Sequence, residues 1–562
     1  MKHLKFGIGL FALSAWLLSH CTLQNPVSTQ TTRSKSIKHR TDIVANEIWR
    51  ADSTHIVAAS VAIRNATLRI QPGTKIQFEK DAALLVMGNG GLIANGTVQP
   101  IIFTRDSIQK QTWNYIYFGS DAQDDSCQLI NCLIEFGGGD STRRSLVYCD
   151  NARPTIIGCR ISKSASSGVS FVGDCRGMVC HSNVIDSCRF VAIETHATNV
   201  SSLGLNTIRD NGLNQIRITT GDIDFNDTWR PLSVPYRMAD GLQIRRAALT
   251  IEPAVELIFE SQEGATVADN GRLYAVGTPS EQIVFTASDI GLWRGLKFKA
   301  TANDMQSRLS YCILENGGQD SNAPANLILE NTSPEISNCL IHQSLGYGVY
   351  ISGQFNAGAF ANNRITRNAL APFSVPANGV PNFPGNQYFG NGQDVIEIRG
   401  NNIETAIRNG TLWEKQSLPY NIKGRIMIQA STLTVAPGVQ ILMSPSSALE
   451  VLTAGGLIAD GTAEPIAITG AQTTAGYWHS IYFSPTADAD QCQLINCRIS
   501  YGGGDISRPG MIYCDNISPI IRNCVIEFSQ TWGIYLSGSA SIASLSGNVF
   551  QNNGYGNYFK QP

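Results

Sequence analysis

Carboxylates, cysteines and tryptophans are the side chains whose spacing invites a chemical reading. Three acid pairs recur at one interval: Asp140 with Asp150, Asp320 with Glu330, and Asp505 with Asp515. The first of each ends a Gly-rich turn and the second is followed by Asn. Two carboxylates brought onto neighbouring backbone turns could share a hard cation such as Ca²⁺, which takes oxygen ligands, or could bind a polar ligand. The structural alternative is that Asp and Asn cap tight turns through hydrogen bonds to nearby amides. Arg143 and Arg508 follow two of the turns at a spacing that permits a local Asp-Arg pair, and an acidic loop precedes each pair (Asp121, Asp124 and Asp125; Asp304; Asp488 and Asp490). Trp532, in SQTWGIYL, has no Trp counterpart elsewhere and is the aromatic residue expected to touch a ligand.

A polysaccharide hydrolase needs carboxylates converging on one bond, one of them with a raised pKa. No such cluster stands out in one place only, and acidic turns used three times suit structural caps or weak repeated contacts better than catalysis. No catalytic residue is assigned. The chain has no C-x-x-C pair and its eight His are scattered, so a thiolate or imidazole metal site is not expected. No cofactor is expected beyond the Ca²⁺ option.

The elements that position these residues are repeated ones, at long period. TLRIQPG and GGLIANGTVQPIIFT (Thr67 to Thr104) return as ALTIEPA and NGRLYAVGTPSEQIVFT, and again as TLTVAPG and GGLIADGTAEPIAIT. Trp49, Trp229 and Trp413 open the copies and Trp113, Trp293 and Trp478 recur within them, at offsets of 180 and 184, and of 180 and 185. Because W-x-x-I-x-F alternates as a half-buried strand does, these six Trp read as core. A shorter step runs inside each copy: Cys132, Cys159 and Asn183 lie 27 and 24 residues apart, and Cys312, Cys339, Asn363 and Cys497, Cys524, Asn548 repeat those steps. Each step is one coil of short alternating strands broken by Gly, Asn, Asp and Pro. The expected fold class is all-β, a right-handed parallel β-helix of about 20 coils in three tandem cassettes. Residues 46–225, 226–409 and 410–562 form the cassettes, the last shortened.

These segments, together with N-C-x-I-x-x-x-x-x-x-G, resemble the right-handed parallel β-helix repeat proteins of bacteria, related in fold to pectate lyases. The resemblance implies the fold over almost the whole chain. For activity it is unspecific, since such rods include lyases, hydrolases and passive surface proteins.

Stacked positions such as Cys132 and Cys159 are expected to form ladders of buried free thiols, because parallel side chains make poor bridges. Cys175 and Cys180, present in the first copy only, are the expected exception. Ala371 to Gly392 carries four Pro and reads as an irregular insertion beside a groove, with Gln387, Tyr388 and Asp394 as contact candidates.

Residues 1–20 read as a secretory signal, with Lys2 and Lys5 ahead of an apolar run from Phe6 to Leu18. Leu18-Ser19-His20-Cys21 resembles the lipobox of bacterial lipoproteins, which implies lipidation of Cys21; His20 departs from its small-residue preference. Residues 21–45 read as a tether. A balance of 42 Lys+Arg against 44 Asp+Glu excludes nucleic-acid binding through bulk positive charge. The expected role is a cell-envelope scaffold, at the outer membrane or cell surface, that binds a glycan without catalysis and touches the membrane through its lipid anchor only. The alternatives are a polysaccharide lyase or hydrolase and a plain structural spacer, and a periplasmic or secreted location.

Overall fold

The computed structural model describes residues 35–561 other than 109, 289–290, 356–359, 381–382, 401–405, 408–409 and 543–546. Cys21 and the signal segment lie outside the described residues. Every strand pairing is parallel and joins one coil to the next. Lys75–Phe78, Leu84–Val86 and Gly91–Asn95 make one turn, and Ile101–Arg105, Ile116–Phe118 and Cys127–Ile130 lie on them in the same order. About 20 such turns form a right-handed parallel β-helix. Alternation drives it: in Ile116–Phe118 the outer two residues are buried and Tyr117 points out. In-register stacking then puts Leu84, Ile116, Val147 and Val169 in one fully buried column. One hydrophobic core runs from Ile43 to Ala540.

The turn residues explain the repeated Gly and Asn. A Cβ on Gly90 or Gly455 would sit 2.1 Å from the carbonyl oxygen of Ile63 or Ile428. Asn151, Asn331 and Asn516 take positive φ, and their side-chain oxygens accept from the backbone amides of Asp174, Gln354 and Ser539 one coil later. That is the reason each acid pair is followed by Asn.

The three sides of the rod are here called faces 1, 2 and 3 in the order the chain visits them. Face 2 carries an unbroken 14-stranded sheet from Val61–Ile63 to Gln387–Phe389, and face 3 one from Asp222–Ile223 to Val549–Gln551. These long sheets cross the cassette joints, so the cassettes form one continuous rod. At the joints Leu213–Thr220 pairs with Tyr236–Met238, and Ile396–Arg399 with Tyr420–Lys423. Pro235 and Pro419 lead into strands that are paired on both sides. Pro235 and Pro419 need only an acceptor there, and their carbonyls take the Ile216 and Ile396 amides at 3.0 and 2.9 Å.

A cassette is seven turns and one further face long. The equivalent strands Lys75–Phe78, Glu256–Phe259 and Gln440–Met443 therefore lie on faces 1, 2 and 3 in turn. Sequence repetition and spatial repetition are out of phase by one face per cassette.

The six cassette tryptophans are all buried, at 1% exposure or less. The indole N–H groups of Trp113, Trp293 and Trp478 donate to the carbonyls of Glu135, Glu315 and Ser500. All 13 described cysteines are free and buried, Cys175 and Cys180 included. The expected exception does not arise: Cys175 follows a face-2 strand, whereas Cys180 lies within the face-3 strand Val179–His181. The Ala371 to Gly392 segment is likewise no insertion. It has the length of Val191 to Gly212, and its strands Phe373–Pro376 and Gln387–Phe389 pair within faces 3 and 2. The prolines misled because Pro376 ends a strand and Pro384 lies in a turn, where no amide is needed.

Candidate functional site

Within each cassette the acid pairs flank the strands that follow the second Trp, and these strands carry an outward column that begins with aromatic residues in cassettes 1 and 3. In cassette 1 the column on face 2 runs Tyr117, Tyr148, Ser170, Glu194, Arg217. In cassette 3, on face 1, it runs Tyr482, Tyr513, Tyr535, Phe559. Cassette 2, on face 3, substitutes Lys297, Ile328, Tyr350, Ser374, Glu397.

The cassette-3 rings stack along the axis. Centroids of Tyr482 and Tyr513 are 5.8 Å apart, those of Tyr513 and Tyr535 5.1 Å at 8° between planes, and those of Tyr535 and Phe559 5.1 Å. Trp532 is half-buried beside them and stacks on Phe559 at 5.0 Å; its equivalents are Ser167 and Tyr347. Stacking covers the ring faces and leaves the partly exposed ring edges toward solvent. In cassette 1, Tyr117 and Tyr148 stand 6.1 Å apart.

A shared polar frame surrounds both strips. Tyr117 donates to Asp150 Oδ2 at 3.2 Å, and Tyr482 to Asp515 Oδ2 at 3.3 Å. The other oxygen of each Asp accepts from its own neighbouring Asn at 2.9 and 2.8 Å. Arg143 lies 4.8 Å over the Tyr117 ring and donates to the Tyr115 hydroxyl, while Arg508 lies 4.0 Å over Tyr482 and pairs with Glu450 at 2.8 Å. Burial and the Asp150 carboxylate push the Tyr117 phenol up to about 12, so it remains a neutral donor.

The first acid of each pair has a different task. Asp140 Oδ1 accepts from the amides of Thr142 and Arg143 and from the Thr142 hydroxyl, at 2.6–2.8 Å. Asp505 Oδ1 does the same with Ser507, and Asp320 Oδ1 with the amides of Asn322 and Ala323. Burial alone would raise the Asp140 pKa, but these hydrogen bonds outweigh it and hold it below its ordinary value. In place of side-chain pairs Asp140-Arg143 and Asp505-Arg508, the Asp Oδ1 atoms serve the turn and the two Arg make ring and Glu450 contacts. In cassette 2, Lys297 bridges the pair, 2.8 Å from Asp320 and 3.8 Å from Glu330. A polar cavity of about 120 Å³ beside it has room for a few waters. Wider grooves of about 440 and 530 Å³ on cassette 1 hold none of these acids or tyrosines. Among the described residues no three His, Cys, Asp or Glu side chains gather as a metal site.

Sequence reading missed one cluster. Cassette 1 alone breaks its strip after Tyr148: Ser167 and Ser170 stand where the others have Tyr347 or Trp532 and Tyr350 or Tyr535, and Arg144 stands where they have Pro. Ser167 and Ser170 are almost fully buried, and neither hydroxyl closes a hydrogen bond of ordinary geometry. They face Glu194, whose carboxyl burial pushes up against the opposing pull of Arg217, 4.0 Å away, and of these hydroxyls. Arg217 also reaches Glu260, which Arg237 holds at 2.9 Å. Position-by-position alignment of the cassettes would have exposed this departure. Compared with known protein families and with curated proteins, the chain matches none.

Proposed function

We propose that this protein is a non-catalytic rod of the cell envelope that binds polymeric glycan along its tyrosine strips, anchored through a lipid on Cys21. The observation that carries the reading is the repeated frame of two neighbouring Tyr, an Arg over the first ring and an Asp on its hydroxyl, in cassettes 1 and 3 alike. Phenol hydroxyls, guanidinium and carboxylate supply both donors and acceptors, as sugar hydroxyls require. The aromatic rungs recur about every 4.8 Å, close to the length of one pyranose residue. Asp150, Asp515 and Trp532 belong to the contact surface, with Glu330 its counterpart in cassette 2; Asp140, Asp320 and Asp505 shape the turns beside it. No cation is needed for this contact.

The test is retention of the mature chain, from Thr22 onward, in gels cast with carboxymethylcellulose, alginate or dextran, with and without Ca²⁺. Retention that falls in Tyr513→Ala/Tyr535→Ala at unchanged melting temperature supports a binder. Retention of neither protein on any polymer leaves the plain spacer. One observation favours a lyase or hydrolase as a second reading, namely Glu194, its carboxyl raised by burial and set beside two serine hydroxyls and Arg217 in the tyrosine column. New reducing ends or unsaturated products, lost in Glu194→Gln, would establish it.

A further inference from the structure

The relation between the two strips follows from topology alone. Strip 1, Tyr117 and Tyr148, lies in the face-2 sheet; strip 3, Tyr482 to Phe559, lies in the seven-stranded sheet of face 1. They are roughly 70 Å apart along the axis at about 4.8 Å per rung. Beyond Glu194 the face-2 column continues as Arg217, Arg237, Ile258, Thr286, Glu315, His342 and Thr366, with no aromatic rung before Phe389 at the end of that sheet. A polymer following face 2 from strip 1 thus meets no second strip. To reach strip 3 it would have to turn a corner of the rod. The rod cannot swivel to help it, because 14-stranded sheets run through both joints.

We infer that one molecule grips two separate glycan chains, so that the protein cross-bridges polymer instead of holding one chain at several points. Avidity on one chain requires geometry that lets both sites engage it together, and here the two sites face different ways. What the duplication adds is a second direction of grip. This inference rests on the proposed glycan binding and says how that binding is used.

The experiment is light scattering of soluble carboxymethylcellulose, alginate or dextran, whichever is retained, titrated with the full mature chain. The wild type is expected to raise the apparent polymer mass several-fold near matched site concentrations, and to lose the effect in protein excess, when every chain is capped by its own rod. Tyr117→Ser/Tyr148→Ser and Tyr513→Ser/Tyr535→Ser each remove one strip. Each should still bind, at about half the stoichiometry, and leave polymer mass unchanged. Calorimetry of the wild type with short oligomers of the same glycan should give two sites per chain, a result that needs no variant to fold. Binding without polymer growth, growth that persists in a folded single-strip variant, or one oligomer site per chain overturns the bridge alone. Failure of all three polymers to bind removes the glycan reading beneath it.

Discussion

Acidification should open the first coil of the rod while leaving the rest closed. His39 ends the first strand, Lys35–His39, and its ring packs at 4.2 Å on Trp49, which packs at 4.8 Å on His55. His39 Nε2 lies 2.9 Å from His55 Nδ1, and His55 Nε2 lies 3.3 Å from the Arg50 carbonyl. With His55 donating to that carbonyl, its Nδ1 is the acceptor and His39 the donor, so a proton on His55 Nδ1 would set two N–H groups against each other, while a proton on His39 would put its charge in a half-buried site beside His55. Burial, and then the neighbouring His55, lower the His39 pKa from 6.5 to about 4. Burial also lowers that of His55, against the pull of the Arg50 carbonyl, Asp52 and Glu47. Lys38 and Arg40 flank His39 in the chain, and Lys38 is paired with Glu79 at 2.9 Å. A drop from 6.5 to about 4 corresponds to about 3 kcal/mol at ~1.4 kcal/mol per tenfold in proton affinity. His39 is only half-buried, so solvent screening reduces this to about 1–2 kcal/mol. The opened strand holds more protons than the closed one between these two pH values. Stability is therefore full above pH 6.5 and falls as pH drops toward 4. Hydrogen exchange by mass spectrometry, corrected for intrinsic rates, should show opening of residues 35–57 increase roughly tenfold from pH 7 to 4.5. Peptides covering Ile283–Ala287 and Leu296–Phe298 should not change. His39→Phe/His55→Phe keeps the stack without the protons and should abolish the effect. An acid-insensitive first coil in the wild type, or full sensitivity in the double variant, would refute the reasoning.

Four further outcomes are expected. Trp293→Ala should cost about 3–5 kcal/mol, because the buried ring stacks on Phe259 at 4.5 Å and its N–H serves the Glu315 carbonyl; exchange should show the loss confined to neighbouring turns. Asp505→Ala removes a turn cap and should lower stability by about 1–2 kcal/mol with glycan retention unchanged, whereas Asp515→Ala should weaken retention. A thiol reagent should titrate none of the 13 described cysteines in the native rod and all of them after denaturation, since all 13 are buried; burial pushes up the pKa of Cys149, Cys180 and Cys514 in particular. Glu194→Gln should raise the melting temperature at pH 7 but not at pH 4. Burial raises the folded carboxyl's pKa, so its ionisation is a cost that appears only as pH rises above the ordinary carboxylate range.

The fold was legible because its causes are local and repeated. Alternation in YIYF, the N-C-x-I step and the Gly turns each specify one coil, and equal spacing specifies the stack. The six tryptophans and the thiol ladders followed from the same periodicity. Pro372 to Pro384 misled because composition was read without register: set against Val191 to Gly212, the segment is an ordinary coil. The site was legible only in part. Asp140 and Asp150 share an interval with their repeats, but which of them caps a turn depends on where the neighbouring amides point, and that is a three-dimensional fact. Tyr117 and Tyr148 looked like strand residues among others. That they share an outward column with Arg143 above them follows from register between coils 31 residues apart.

The out-of-phase repeat also changes what the third copy means. Had a cassette been a whole number of turns, Tyr148 and Tyr513 would lie in one line, and duplication would lengthen a single binding surface. The extra face instead re-aims each copy, and after three copies every side of the rod has carried one. The divergence between the columns fits that separation. Neighbouring rungs constrain one another through stacking, as Tyr513 and Tyr535 do, whereas the three columns lie in different sheets. Cassette 1 can therefore replace rings with Ser170 and Glu194, and cassette 2 with Lys297 and Ile328, without disturbing the strip on face 1. A solenoid built this way keeps one core and presents three independently variable surfaces.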